Sequence, residues 1–107
     1  MLTSRAQAKA VEMVPGVYRR TLNEGERTML VEITLAKGSV VPNHTHPHEQ
    51  IGYLASGRLL FELGDETKEL SPGDSWLIRS NVPHRVTALE DSLAVDIFSP
   101  PREEYRA

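Results

Sequence analysis

Apolar and polar residues alternate with a period of two along most of the chain, in short segments bounded by turn-forming residues. Val31, Ile33 and Leu35 alternate with Glu32 and Thr34, and Leu59, Phe61 and Leu63 alternate with Leu60 and Glu62. A third segment sets Leu93, Val95 and Ile97 against Ala94, Asp96 and Phe98. Successive side chains of a strand point to opposite faces, so this pattern predicts β-strands with one face in the core. Between the segments lie Pro15-Gly16, Lys37-Gly38, Ser56-Gly57, Gly64-Asp65, Ser71-Pro72-Gly73-Asp74 and Asn81-Val82-Pro83. Glycine and asparagine admit positive φ there and proline pre-sets its own φ, which is what tight turns require. Strand–turn–strand at this spacing predicts an all-β domain of two antiparallel sheets, a sandwich or a barrel. The one helix-prone stretch, from Arg5 to Met13, is short and falls within an expected N-terminal arm or edge strand over residues 1–14. Trp76, Leu77 and Ile78 read as core, with Trp76 also a candidate pocket wall.

Length, charge and composition narrow the possibilities. At 107 residues there is room for one domain, 1–107, and not for a second. A net charge of -3 with no basic cluster argues against nucleic-acid binding. The apolar runs fall far short of the roughly 20 residues a membrane-spanning helix needs. Met1 to Arg5 lacks the apolar stretch of a secretory signal. Cysteine is absent, which excludes disulfides and thiolate chemistry and leads to the expectation of a cytoplasmic protein. Any metal must therefore be held by histidine, carboxylate or amide.

Of the 4 histidines, His44, His46 and His48 fall within five residues and His84 stands apart. On a strand, residues two apart share a face, so His44 and His46 can offer two imidazoles to one ion. His84 follows the Asn81-Val82-Pro83 turn and would open a new strand. It is a plausible third ligand brought in by the fold. Imidazole suits Zn, Cu, Fe and Ni, and amide or carboxylate oxygen extends the range to Mn.

The wider spacing is more specific. Gly38, His44, His46, Gln50 and Gly57 are separated by five, one, three and six residues, and Gly73-Asp74 precedes His84 in a second block. In this the sequence resembles the small single-domain members of the cupin superfamily. The resemblance implies a double-stranded β-helix, or jelly-roll barrel, with one divalent transition metal (Ni, Zn, Mn, Fe or Cu) near its mouth. It further implies His44, His46, Gln50 and His84 as ligands, with Gln50 standing where glutamate is usual. Glu49 is the rival, but its strand parity is opposite to that of Gln50. His48, beside Pro47, is expected at the rim. Arg79 and Asn81 stand where proline and glycine are typical, and Asn81 can still supply a positive-φ turn.

The C-terminal segment 99–107 is expected as a tail near the barrel mouth. Asp96 and Phe98 share a face opposite Val95 and Ile97. Either the apolar set fills the core and Asp96 is solvated, or Asp96 and Phe98 point into the barrel. In the second case Pro100-Pro101 would stiffen the tail so that Arg102 folds back over the mouth. This stretch is similar to the tail of the cupins of pectin and alginate catabolism that ketonise unsaturated uronates. That resemblance implies Asp96, Phe98 and Arg102 as catalytic residues acting on a small oxygen-rich anion. Two further functions remain open, an iron-dependent dioxygenase and a non-catalytic sensor or carrier of a small ligand. A homodimer is expected, because sheet edges, an outer apolar face and the N-terminal arm have no evident cover within one small barrel.

Overall fold

The computed structural model describes residues 1–106; Ala107, the last residue of the expected tail, lies outside the described residues. The strands are β1 (Val11–Val14), β2 (Val17–Glu24), β3 (Met29–Leu35), β4 (Val40–His44) and β5 (Glu49–Ser56), then β6 (Leu59–Leu63), β7 (Glu66–Leu70), β8 (Ser75–Ile78), β9 (His84–Ala88) and β10 (Ser92–Ser99). They form two antiparallel sheets, one in the order β1-β2-β3-β10-β5-β8 and the other β4-β9-β6-β7. The predicted all-β, two-sheet barrel is therefore the observed fold.

The alternation predicted from sequence decides what enters the barrel. Val31, Ile33 and Leu35 of β3, Leu59 and Phe61 of β6, and Leu54 of β5 all point into the core. On β10 the inward set is Ala94, Asp96 and Phe98, each 5% exposed or less, while Ile97 is 41% exposed on the outside. Of the two arrangements open from sequence, the carboxylate and the aromatic ring take the interior. Trp76 and Ile78 are core, but Leu77 between them is exposed, because β8 alternates like its neighbours.

The stretch Arg5–Met13 contains only a 3₁₀ turn, Arg5–Gln7, before the chain enters β1 as an edge strand. The arm does find cover on its own barrel. Arg5 Nε donates to both carboxylate oxygens of Glu32, at 2.8 and 3.1 Å, and Arg20 donates to the Ala8 carbonyl. This pairing accounts for the burial of Glu32 on the otherwise outward face of β3. Beyond the arm, the outer face of the large sheet is apolar. Leu30, Ile97, Ile51 and Leu77 stand in register across β3, β10, β5 and β8.

Turn chemistry fixes how the sheets join. Gly57, between β5 and β6, has φ +94°, and a Cβ there would come within 2.2 Å of Ser92 Oγ and 2.6 Å of Ser92 Cα. Gly38 also has positive φ, +86°, but faces open space. Replacing Gly38 with Ala therefore adds backbone strain alone, about 1–3 kcal/mol, whereas Gly57→Ala adds a collision with backbone to that strain. Urea denaturation should show the larger loss for Gly57→Ala; equal losses would contradict the packing described.

Candidate metal centre and cavity

Three imidazoles converge at one end of the barrel. His44 ends β4 and His84 opens β9, paired with each other across the small sheet. His46 lies past the end of β4, so the shared face of His44 and His46 is not the regular strand face expected from spacing. The irregular link between β4 and β5 carries it instead, and the Asn81 amide, from the turn before β9, donates to the His46 carbonyl at 2.8 Å. Asn81 has φ 63°, the positive-φ conformation expected of it. One ring nitrogen from each of His44, His46 and His84 lies within 4.8 Å of the others.

Local backbone bonds decide which nitrogens face the centre. The Nδ1–H groups of His44, His46 and His84 donate to the carbonyls of Pro42, His48 and Val82, at 2.8, 3.0 and 2.9 Å. A carbonyl only accepts, so each Nδ1 carries a proton, and in the neutral ring the lone pair is then on Nε2. Burial, then the positive charge of Arg102, pushes the His46 pKa down. Burial likewise takes His84 down to about 4. Both rings are neutral at neutral pH.

Gln50 supplies the test of whether a cation belongs here. Its Nε2 donates to Asp96 Oδ1 at 2.9 Å, which turns its Oε1 toward His46 Nε2 at 3.1 Å. With the His46 proton on Nδ1, two lone pairs face each other with no hydrogen between them. A cation bound by both resolves that conflict. Neutral imidazoles with an amide oxygen form a donor set suited to a divalent transition ion. Glu49 is exposed at the start of β5 and Gln50 is buried, as strand parity predicts. His48 is half-buried, its ring 5.7 Å from that of His46, and its Nδ1 has no partner among the described residues.

Across the cavity, Asp96 and Phe98 project from β10, where they pair with Gly52 and Gln50 of β5. Burial pushes the Asp96 pKa up to about 6, against the lowering effect of hydrogen bonds from Gln50 and Trp76. Arg102 folds over the cavity, its guanidinium 5.2 Å from the centre of the Phe98 ring. His44, His84, Gln50, Asp96, Phe98 and Arg102 line one cavity.

Sequence reasoning missed the residues that hold this mouth in place. Arg102 donates to Glu104 Oε1 at 2.9 Å and to the Tyr105 hydroxyl at 3.0 Å. The backbone of this C-terminal strap is clasped from β2: the buried Arg19 donates to the carbonyls of Glu104 and Tyr105, and Thr21 donates to the latter. Such a clasp joins residues some 85 apart in sequence and leaves no local pattern. Gly52 did leave one, since a glycine on the inward face of a strand marks close approach of another group.

A two-sheet antiparallel barrel with three imidazoles gathered at its mouth defines a class of proteins rather than a reaction. The chain belongs to the Cupin domain family, whose pattern matches residues 31–99. It is 32% identical over 96 residues to the pectin degradation protein KdgF of Dickeya dadantii, covering 88% of this chain and 87% of that one. It is 30% identical over 92 residues to the H2HPP isomerase of Bacillus subtilis, covering 83% of this chain and 39% of that one. Among solved structures, KdgF from Halomonas sp. superposes with TM-score 0.91 at 33% identity, covering 97% of this chain and 96% of that one. An RmlC-like cupin from Shewanella frigidimarina superposes with TM-score 0.92 at 27% identity, covering 97% and 94%. Among the described residues no helix is long and apolar enough to cross a membrane.

The buried titratable groups make opposite contributions to acid stability in metal-free protein. His84 has a folded pKa of about 4 against 6.5 when unfolded, so between these values the unfolded chain binds the extra proton. Stability from His84 is thus lost as pH falls from 6.5 to 4. Asp96 has a folded pKa of about 6 against 3.8, so the folded chain binds the extra proton and acidification relieves its cost. Asp96→Asn removes the relief alone. Chelator-treated Asp96→Asn should lose stability more steeply than wild type between pH 6 and 4 in urea melts, and parallel curves would contradict the burial of an ionisable Asp96.

Proposed function

We propose that residues 1–107 form a single-domain, metal-dependent isomerase that ketonises a small unsaturated sugar acid. The observation that carries this reading is the placement of Asp96 and Arg102 on the same cavity as the imidazole cluster. Similarity over most of the chain to a pectin degradation protein supports the substrate class. The proposed ligands are His44, His46, Gln50 and His84, with the identity of the divalent transition ion left to elemental analysis. When bound, that ion supplies Lewis acidity toward the oxygens of the sugar acid. A cytoplasmic setting accords with a chain that has no cysteine.

The chain's own groups account for the remaining requirements. Arg102 offers its guanidinium to the substrate carboxylate, exchanging the exposed carboxylate of Glu104 for that of the ligand. Phe98 forms the wall on which the sugar ring rests. Ketonisation of a 4,5-unsaturated uronate is an internal proton shift. The C1 hydroxyl loses its proton, the ring C1–O bond opens, C4 gains a proton and the C5 oxygen becomes a ketone. Asp96, with a pKa of about 6, can accept the first proton and return one to C4 near neutral pH.

Purified wild type should carry stoichiometric metal, melt at lower temperature after chelation, and bleach the absorbance of 4,5-unsaturated uronate. His44→Ala/His46→Ala should abolish metal content, and Gln50→Ala should weaken metal binding more than Glu49→Ala. Asp96→Asn should lower kcat by about 10²–10⁴-fold with metal content retained, and Arg102→Ala should mainly raise KM. Uronate bound but never converted, with any of the candidate metals, would replace the enzyme by a carrier. Oxygen uptake by the iron form would replace it by a dioxygenase.

We further propose that two copies of the chain pair through the apolar outer face of the large sheet. The N-terminal arm covers Glu32 but leaves Ile51, Tyr53, Leu77 and Ile97 each at least 40% exposed. Light scattering at micromolar concentration should report a dimer, and Ile51→Glu should yield a monomer. A wild-type particle of 12.0 kDa would refute the pairing.

A further inference from the structure

Asp96, Gly52 and Trp76 stand in one row across the adjacent strands β10, β5 and β8. Asp96 and Trp76 are thus two strands apart, roughly 9–10 Å at the backbone, and an intervening side chain would ordinarily separate them. Gly52 has none. A Cβ built there would lie 2.1 Å from Trp76 Nε1, 2.2 Å from Trp76 Cε2 and 2.3 Å from Asp96 Oδ1. Through this gap the indole N–H donates to Asp96 Oδ1 at 2.8 Å. Phe61 packs against the indole from the facing sheet, with ring centres 5.0 Å apart.

The Gln50 amide donates to the same oxygen, Oδ1. Two N–H donors from two strands therefore grip one carboxylate oxygen and leave the other, Oδ2, without a donor among the described residues. A carboxylate held in this way cannot rotate to exchange its oxygens without losing both bonds. We infer that Trp76, admitted by Gly52, is a positioning residue that holds Asp96 by Oδ1 so that Oδ2 is the oxygen presented to the substrate. Its role in turnover rests on the isomerase reading above; its grip on Asp96 does not. Apolar packing alone would be met as well by phenylalanine at position 76. The indole N–H, the glycine and the shared acceptor are what packing leaves unexplained.

Trp76 is the chain's only tryptophan, so one indole resonance reports on it in a ¹⁵N-labelled sample. Wild-type protein should show that resonance at low field and slow to exchange, and Gly52→Ala should return it to the position of an unbonded indole. In kinetics on 4,5-unsaturated uronate, normalised to metal-loaded protein, Trp76→Phe should lower kcat about 10- to 100-fold with KM within about two-fold of wild type. Gly52→Ala should give the same split, and if it does not fold Trp76→Phe decides. A Trp76→Phe variant that melts lower but keeps its kcat makes Trp76 structural and overturns the inference, as does an unbonded indole in wild type. Wild type that converts no uronate defeats the isomerase reading instead, and the indole resonance then decides whether Trp76 holds Asp96.

Discussion

Three hydrogen bonds from imidazole Nδ1–H to main-chain carbonyls are the constraint on which the centre depends. In each case the acceptor is two residues away along the chain: Pro42 for His44, Val82 for His84 and His48 for His46. The bond fixes ring orientation and tautomer together, and it needs only local backbone geometry to do so. Proline stands within the two residues before His44 and before His84, and between His46 and His48. Its restricted φ, and the extended conformation it imposes on the preceding residue, hold the carbonyl where the ring can reach it. The rigid pieces are short, and the sheets have only to bring them side by side.

From that constraint the polar interior follows in order. The protonated Nδ1 of His46 leaves a lone pair facing Gln50, the amide of Gln50 is oriented by Asp96, and Asp96 is gripped at the same oxygen by Trp76. No member can flip without unmaking the bond of the next. Buried networks of this kind are stabilising only when every donor and acceptor is matched. His46 Nε2 and Gln50 Oε1 meet unmatched in this network, and a cation bound between them would complete it.

Much of this was legible in the residues. Period-two alternation gave the strands, and Asn81 gave the positive-φ turn, because both depend on neighbours in sequence. The histidine spacing was read correctly as a cluster but with the wrong local cause, since His46 sits on the irregular link after β4, bonded to the Asn81 amide, and not on a regular strand face. Leu77 was misread because an apolar triplet carries no information about which of its members faces out. The direction of β10 was undecidable locally, since both of its faces carry apolar residues and only the opposite sheet selects between them. The Arg19 clasp and the covering of Glu32 by Arg5 join distant segments, and no pattern along the chain encodes them.

The clasp on the C-terminal strap holds main chain, and the Arg19 guanidinium also lies over the Tyr105 ring, 4.9 Å from its centre. Arg19 and Thr21 bind the carbonyl oxygens of Glu104 and Tyr105, which every amino acid possesses, while the side chains of Arg102 and Tyr105 are left to line the mouth. Tyr105 thus gives its carbonyl to the anchor and its ring to the cavity. Position 102 can therefore change its side chain, and with it the charge at the mouth, while the clasp on the strap's backbone is kept. In this small barrel the charge at the mouth can vary on the strap, away from the strands that hold the fold.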